Sequence, residues 1–462
     1  MTRNVYSRRS ALGLGVLGVG VAVGAPLLGS TGAFASTREN GAAALAGSGR
    51  KLFVRAGAPA SNDGLSALHP FSALQQAQDV SEPGDTIFIM NGTYSDASAT
   101  ANQAVLQIDR SGTEASPIRY TAFPGHSPKI MPAANVWQAV TVLGAAYIAI
   151  DSLEIEGNSA SLTLDAALAS QDGTNPVFNA NGLFIKDGLD GAHAHHIIVQ
   201  SCHVHHWPGG GIGTKNADYL TFENNTVNSN AWYSVYANSG ISILTPRDAD
   251  QSTGYRNVVQ QNLTYDNESY IPSKAAKKIT DGNGIIIDST TEQFTLTGQH
   301  YLGRTLVTNN ISFSNGGSGM HSFASEHVDV VNNTVYDNSR SPALTYAGLY
   351  ASASNDCNLI NNVVYVRTGE PTNVIDKNTK VRYDYNVYFN GLAPQSVGPN
   401  DIIGDPLFWA ASDTAGASGF RVRPASPAVN SGTSELAPAV DFRGIPRPLH
   451  GAVDRGAFES IL

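Results

Sequence analysis

His321, Asp288 and Lys215 are residue types that move protons or hold charged ligands, and each lies in a short segment that opens Gly-apolar-x. The copies are Gly182-Leu183-Phe184, Gly211-Ile212-Gly213, Gly240-Ile241-Ser242, Gly284-Ile285-Ile286, Gly319-Met320-His321 and Gly348-Leu349-Tyr350. Strand alternation that turns Leu183, Ile212, Ile241, Ile285, Met320 and Leu349 inward turns Phe184, Gly213, Ser242, Ile286, His321 and Tyr350 outward. Two residues on, Lys186, Lys215, Leu244, Asp288 and Phe323 share the outer face. Nearby stretches add Trp232, Tyr233, Tyr236 and Asn238, then Lys274, Lys277 and Lys278, then His300, Tyr301 and Arg304. Each taken singly is an ordinary solvated side chain. Gathered along one trough, they suit an anionic sugar chain, because cations neutralise carboxylates and aromatic rings pack on sugar faces.

The chemistry that fits is β-elimination on a uronate. It needs the sugar carboxylate neutralised, a base for the C5 proton and an acid for the leaving oxygen. On this reading Lys274, Tyr236, His321 and Arg304 carry the reaction. Lys215, Tyr233, Asn238, Lys278, Asp288, His300, Phe323 and Tyr350 contact the substrate. Hydrolysis would instead need two carboxyl groups about 5–9.5 Å apart. Asp288 with Asp281, Asp248 or Glu292 keeps that alternative open, and a non-catalytic carbohydrate-binding solenoid is a third. Asp281 and Asp288 are candidate Ca²⁺ ligands, which keeps that ion as an alternative, but they fall short of the dense carboxylate cluster it prefers, so no metal or other cofactor is expected. His193-Ala194-His195-His196 and His203-Val204-His205-His206 read either as stacked turn residues or as ligands for a transition metal.

A repeat must position these residues. Strand-like segments recur around Asn225, Asn262, Asn310, Asn333 and Asn362, with weaker copies around Cys202 and Asn386. The shortest Gly-to-Asn spacing is 14 residues and the shortest Asn-to-Gly spacing is 9, so one coil takes 23. Short β-rich strands repeating at that length without helices predict a single parallel β-helix over 51–462. Asn suits the slot because it tolerates left-handed turn angles and can bond the Asn one coil away. An amphipathic helix over 71–80 is expected to cover the first coil, whose strand edges are otherwise unpaired. Extended connections flank Gly240–Leu244 and Gly284–Asp288, which places the expected groove over those two strands.

Composition narrows the partners. Of 462 residues 42% are hydrophobic and 14% charged, with 46 glycines, which excludes a coiled coil. Residues 1–35 hold Arg3, Arg8 and Arg9 and no acid, leaving 25 basic against 38 acidic residues, a balance of −13. That sign argues against nucleic acid as a partner. The pair Arg8-Arg9, the apolar run Ala11–Leu28 and Ala33-Phe34-Ala35 read as a cleaved leader of twin-arginine type over 1–35, hence a secreted protein. No later run is long enough to span a membrane. A monomer is expected. Cys202 and Cys357 allow at most one disulfide.

Three stretches carry a family resemblance. Pro70–Tyr94 (PFSALQQAQDVSEPGDTIFIMNGTY) is similar to the opening of exported right-handed β-helix carbohydrate enzymes, and SPAVNSG at Ser426–Gly432 and DRGAFE at Asp454–Glu459 to their closing segments, which implies a right-handed parallel β-helix. Gly282–Asn333, with GNGIIIDS, GRTLVTNN and GGSGMHSFASEHVDVVNNTVYDN, most resembles alginate lyases of polysaccharide lyase family 31. The resemblance implies an acidic polysaccharide as substrate, alginate ahead of pectate. It also implies a Lys and Tyr proton-transfer pair without an Asp-built calcium site, carried here by Tyr236 and one of Lys274, Lys277 or Lys278.

Overall fold

A computed structural model describes residues 49–95, 104–132, 135–293, 295 and 298–461, so the leader expected over 1–35 lies outside the described residues. From Lys51 onward the chain winds as a right-handed parallel β-helix of three sheets. Sheet I runs from Lys51–Val54 to Thr379–Asp384 in eleven strands. Sheet II runs from Leu106–Ile108 to Leu349–Ser352 in eight, and sheet III from Thr93–Tyr94 to Ile402–Ile403 in eleven. Every described strand pairing within these sheets is parallel and joins successive coils. The period-2 pattern of the sequence explains the core: Leu183, Ile212, Ile241, Ile285, Met320 and Leu349 stack inward, each at most 1% exposed. The expected first helix forms over Leu74–Val80, with Leu74 and Ala77 buried against the end of the coil stack.

Asparagines fix the corners. Between sheets I and III, the Nδ2 of Asn225 donates to Asn262 Oδ1 at 2.9 Å, and the relay continues through Asn310, Asn333, Asn362 and Asn386. A second ladder, five residues later in each coil, links Asn230, Asn267, Asn315 and Asn338 between sheets III and II. The sequence reading found the first ladder and missed the second. It also misplaced the strained residue. Left-handed backbone falls one position before the ladder residue, at Ser201, Asn224, Gln261, Asn309, Asn332, Asn361 and Tyr385. The ladder side chain is thereby turned inward, fully buried, while its neighbour faces out.

Those outward neighbours hold the C-terminal tail. Gln261 donates to Asp441 O at 2.9 Å, Asn309 to Val440 O at 2.7 Å, Asn332 to Asp454 O at 2.8 Å and Asn361 to Thr433 O at 2.8 Å. The tail buries Phe420, Ala457 and Phe458 against Ile311 and Phe313. Arg447 and Glu459 form a fully buried ion pair at 2.8 Å that ties its two arms together. Cys202 and Cys357 are buried thiols without a disulfide, each inside the core, so the single bridge allowed by their number is not made.

Candidate active site

Sheet II carries the cleft, and its register follows from the Gly-apolar-x pattern. Gly213 pairs with Ser242, Ser242 with Ile286, Ile286 with His321 and His321 with Tyr350 in one outward row. Lys215, Leu244, Asp288, Phe323 and Ser352 make the second row. The cleft, about 720 Å³, lies over the last three coils of this sheet. Ile286, Asp288, His321, Phe323, Tyr350 and Ser352 floor it, while 273–281, 345–347 and 374–376 rise beside it. It is therefore displaced toward the C-terminus from the expected trough, which was centred on Gly240–Leu244 and Gly284–Asp288.

His321 is the best-held group in it. Its ring is 6% exposed and stacks on Tyr350 at 4.6 Å between centroids, 3° from parallel. Tyr346 meets it edge-on at 6.2 Å. Nδ1 lies 2.7 Å from Ser318 Oγ, which is 3.1 Å from Asn283 Oδ1. The Ser318 N–H also donates to that Oδ1, at 2.9 Å, so the oxygen is an acceptor. The hydroxyl must then donate to Asn283 and accept from Nδ1–H, which leaves the lone pair on Nε2. Burial pushes the imidazole down to about 3, so it is neutral throughout the physiological range. Burial also holds the Tyr346 phenol up at about 12, and it stays protonated.

Two carboxyls complete the chemistry. Asp281 accepts from Asn283 Nδ2 at 3.2 Å and is therefore wired to His321 through Asn283 and Ser318. Burial first, then the charge of Asp288, pushes Asp281 up to about 7. Asp288 accepts from the Ser289 hydroxyl at 2.6 Å and is itself raised by burial. Among the described residues the cleft contains no group of three His, Cys, Asp or Glu side chains whose ligating atoms all lie within 4.8 Å of one another.

The other expected site residues divide. Asp288, His321, Phe323 and Tyr350 line the cleft together. Lys215 is exposed on the same outer row, two coils from Asp288, or roughly 10 Å at the usual strand spacing. Tyr236 and Lys274 come together, but on neighbouring carbonyls and not on the cleft floor: Tyr236 Oη donates to Gly173 O at 2.7 Å and Lys274 Nζ to Asp172 O at 2.7 Å. Both fasten an inserted loop. Tyr233 packs near Val235 and Ile271, with Tyr270 6.4 Å away, and Asn238 donates to Asn181 Oδ1 at 3.3 Å. Lys278 is exposed on the loop that forms one wall.

Arg304 and His300 do not converge on the cleft at all. Arg304 opens a strand of sheet I, where Nε and Nη1 donate to Asp329 and Asp356, each at 2.8 Å. His300 pairs with Glu292 at 3.1 Å and with buried Glu326. His300 and Arg304 are drawn toward sheet I because their carboxylate partners Glu326 and Asp329 lie on that sheet. Ser318, Asn283 and Tyr346 went unnoticed in the sequence. The 15-residue gap from Asn333 to Gly348, six longer than the minimum, was the available signal for Tyr346.

Comparison with known proteins agrees on the architecture. No curated protein matches the sequence. Among solved structures, pectate lyase Pel9A aligns at a TM-score of 0.52 with 17% identity, covering 90% of this chain and 98% of that one. A rhamnogalacturonan lyase aligns at 0.45 and 14%, covering 79% and 92%. An alginate lyase from Paenibacillus sp. str. FPU-7 aligns at 0.37 and 15%, covering 71% and 96%. At these identities the likeness is one of fold alone. The family match is broader than any of them in what it establishes: residues 52–355 fit the Pel9A-like right-handed β-helix region, and the chain belongs to that family.

Proposed function

We propose that the cleft binds a uronate-containing polysaccharide and cleaves it by β-elimination, outside the cell, as the leader-like segment 1–35 supports. The observation that carries this reading is a neutral, oriented imidazole whose Nε2 is available to a cleft, wired to a carboxyl that titrates near neutrality. His321 Nε2 takes the C5 proton. Burial keeps the ring unprotonated at rest, so Nε2 carries the lone pair that receives the proton. Asp281, protonated below about pH 7, donates to the leaving oxygen. Three acids, Asp281, Asp288 and Asp376, line the cleft, and Lys277 and Lys278 are exposed on the loop that forms one wall. Family membership favours a pectate-like polymer, while the resemblance of Gly282–Asn333 favours alginate.

Digestion of pectate, alginate and glycosaminoglycans separates the readings. The expected products carry a new C4–C5 double bond and absorb in the ultraviolet. Saturated products would instead indicate a glycoside hydrolase, a second reading favoured by the two raised carboxyls in the cleft. Polymer retention with no product would indicate a binding solenoid.

The titration of Asp281 makes a further prediction. Its raised pKa keeps the acid form present below about 7 and loses it above, so kcat/KM is expected to fall as pH rises through that value. Asp281→Asn is expected to lower kcat at pH 6 by about 10- to 100-fold and to abolish that alkaline decline. An unchanged decline in the variant would remove Asp281 from the acid role. Asn is tolerated at this position because the backbone there is left-handed, at φ 64°.

A further inference from the structure

Sheet III holds a second constellation, unrelated to the cleft. His203 and His205 flank buried Val204, so both rings face outward, and they stack at 4.0 Å between centroids. One coil earlier Glu154 pairs with His203 and Glu156 with His205. We propose that Glu154, His203 and His205 bind one borderline transition-metal dication, Zn²⁺ being the reference ion, that clips these two coils together. One ligand atom from each of the three lies within 4.8 Å of the other two. His205 Nε2 and Glu154 Oε1 are 3.3 Å apart. The edge of a tetrahedral zinc site, with bonds of about 2.1 Å, is about 3.4 Å, so this pair already stands at ligand spacing.

The surroundings fix the ligand atoms. His203 Nε2 lies 2.8 Å from Asn228 Oδ1, while Asn228 Nδ2 donates to Ser229 Oγ at 3.0 Å and Ser229 Oγ to Asp266 at 2.8 Å. His203 therefore donates from Nε2, and Nδ1 is left to ligate. A histidine whose second nitrogen is bound to an amide oxygen, itself held in place, is the usual outer support of a metal site. His205 Nδ1 meets His206 Nδ1 at 2.6 Å, which orients the other ring. Lys129 pairs with Glu154 at 3.0 Å and also with Glu156. A dication need displace it from Glu154 alone, since Glu156 continues to hold the ammonium. Two imidazoles and one carboxylate suit Zn²⁺, Ni²⁺ or Cu²⁺, whereas Ca²⁺ and Mg²⁺ require oxygen ligands.

The test uses untagged protein stripped with EDTA and titrated calorimetrically with ZnCl₂. One saturable equivalent is expected, with a raised melting temperature, and CaCl₂ should produce neither effect. Glu154→Gln and His203→Asn should each weaken Zn²⁺ binding at least about 10-fold. Melting both variants in EDTA shows whether they fold, and either one suffices for the comparison. Absence of saturable binding, or binding equally tight in both variants, would overturn the assignment.

Discussion

His321→Ala is expected to lower kcat on the cleaved polymer by about 10³-fold while leaving KM within a few-fold, because the proton-abstracting group is lost and the cleft walls are not. The magnitude follows from what a positioned base contributes, typically 10² to 10⁴ in rate. Positioning here is unusually complete: Tyr350 fixes the ring plane at 4.6 Å and Ser318 fixes its rotation at 2.7 Å. Ser318→Ala should accordingly cost less, about 10-fold, by freeing the ring without removing it. A melting temperature measured alongside separates chemistry from packing. If His321→Ala retained a tenth or more of the parent kcat, the base would have to be sought elsewhere, with Tyr236 and Lys274 the next residues to substitute.

The second large effect is structural. Asn310→Leu is expected to destabilise the fold by about 3–5 kcal/mol, since four buried side-chain hydrogen bonds are lost and each group left without a partner costs roughly 1–3 kcal/mol before relaxation. Asn310 Nδ2 donates to Val259 O at 2.8 Å and to Asn333 Oδ1 at 3.0 Å, and Oδ1 accepts from the Asn262 backbone N–H and from Asn262 Nδ2, both at 2.9 Å. Leucine keeps the branched skeleton, with bulkier methyl groups, and supplies none of these. Guanidinium denaturation followed by circular dichroism reads the loss as a lower midpoint. A decrease under about 1 kcal/mol would mean that water or a shifted neighbour satisfies the orphaned groups.

The sequence made the sheet II register legible because alternation leaves little choice: a one-residue slip would send His321 into the core and Met320 into water. The first Asn ladder was legible by spacing. The second stood at a constant five residues beyond it, at Asn230, Asn267, Asn315 and Asn338, and was overlooked because the short sheet III strands were merged with the preceding ones. What spacing could not supply was direction. The length of an insertion does not say which sheet it leans on, and that depends on buried partners such as Glu326 and Asp329, which draw His300 and Arg304 away. Nor does it reveal that Lys274 and Tyr236 spend their polar atoms on the carbonyls of Asp172 and Gly173. Cleft placement was recovered for Asp288, His321, Phe323 and Tyr350 on the sheet II strands and lost for Tyr236, Lys274, His300 and Arg304, in or next to the insertions, where side-chain contacts set the geometry.

A solenoid built of nearest-neighbour contacts would ordinarily fray from its last coil, each turn opening at its own small cost. Here the final thirty or so residues run back across the stack and grip Gln261, Asn309, Asn332 and Asn361, which belong to four different coils. None of those coils can open at the C-terminal side without first releasing the tail. The consequence is that unwinding from that end should be all-or-none over this region, and that a chain without residues 433–454 is an open stack with nothing to lock it.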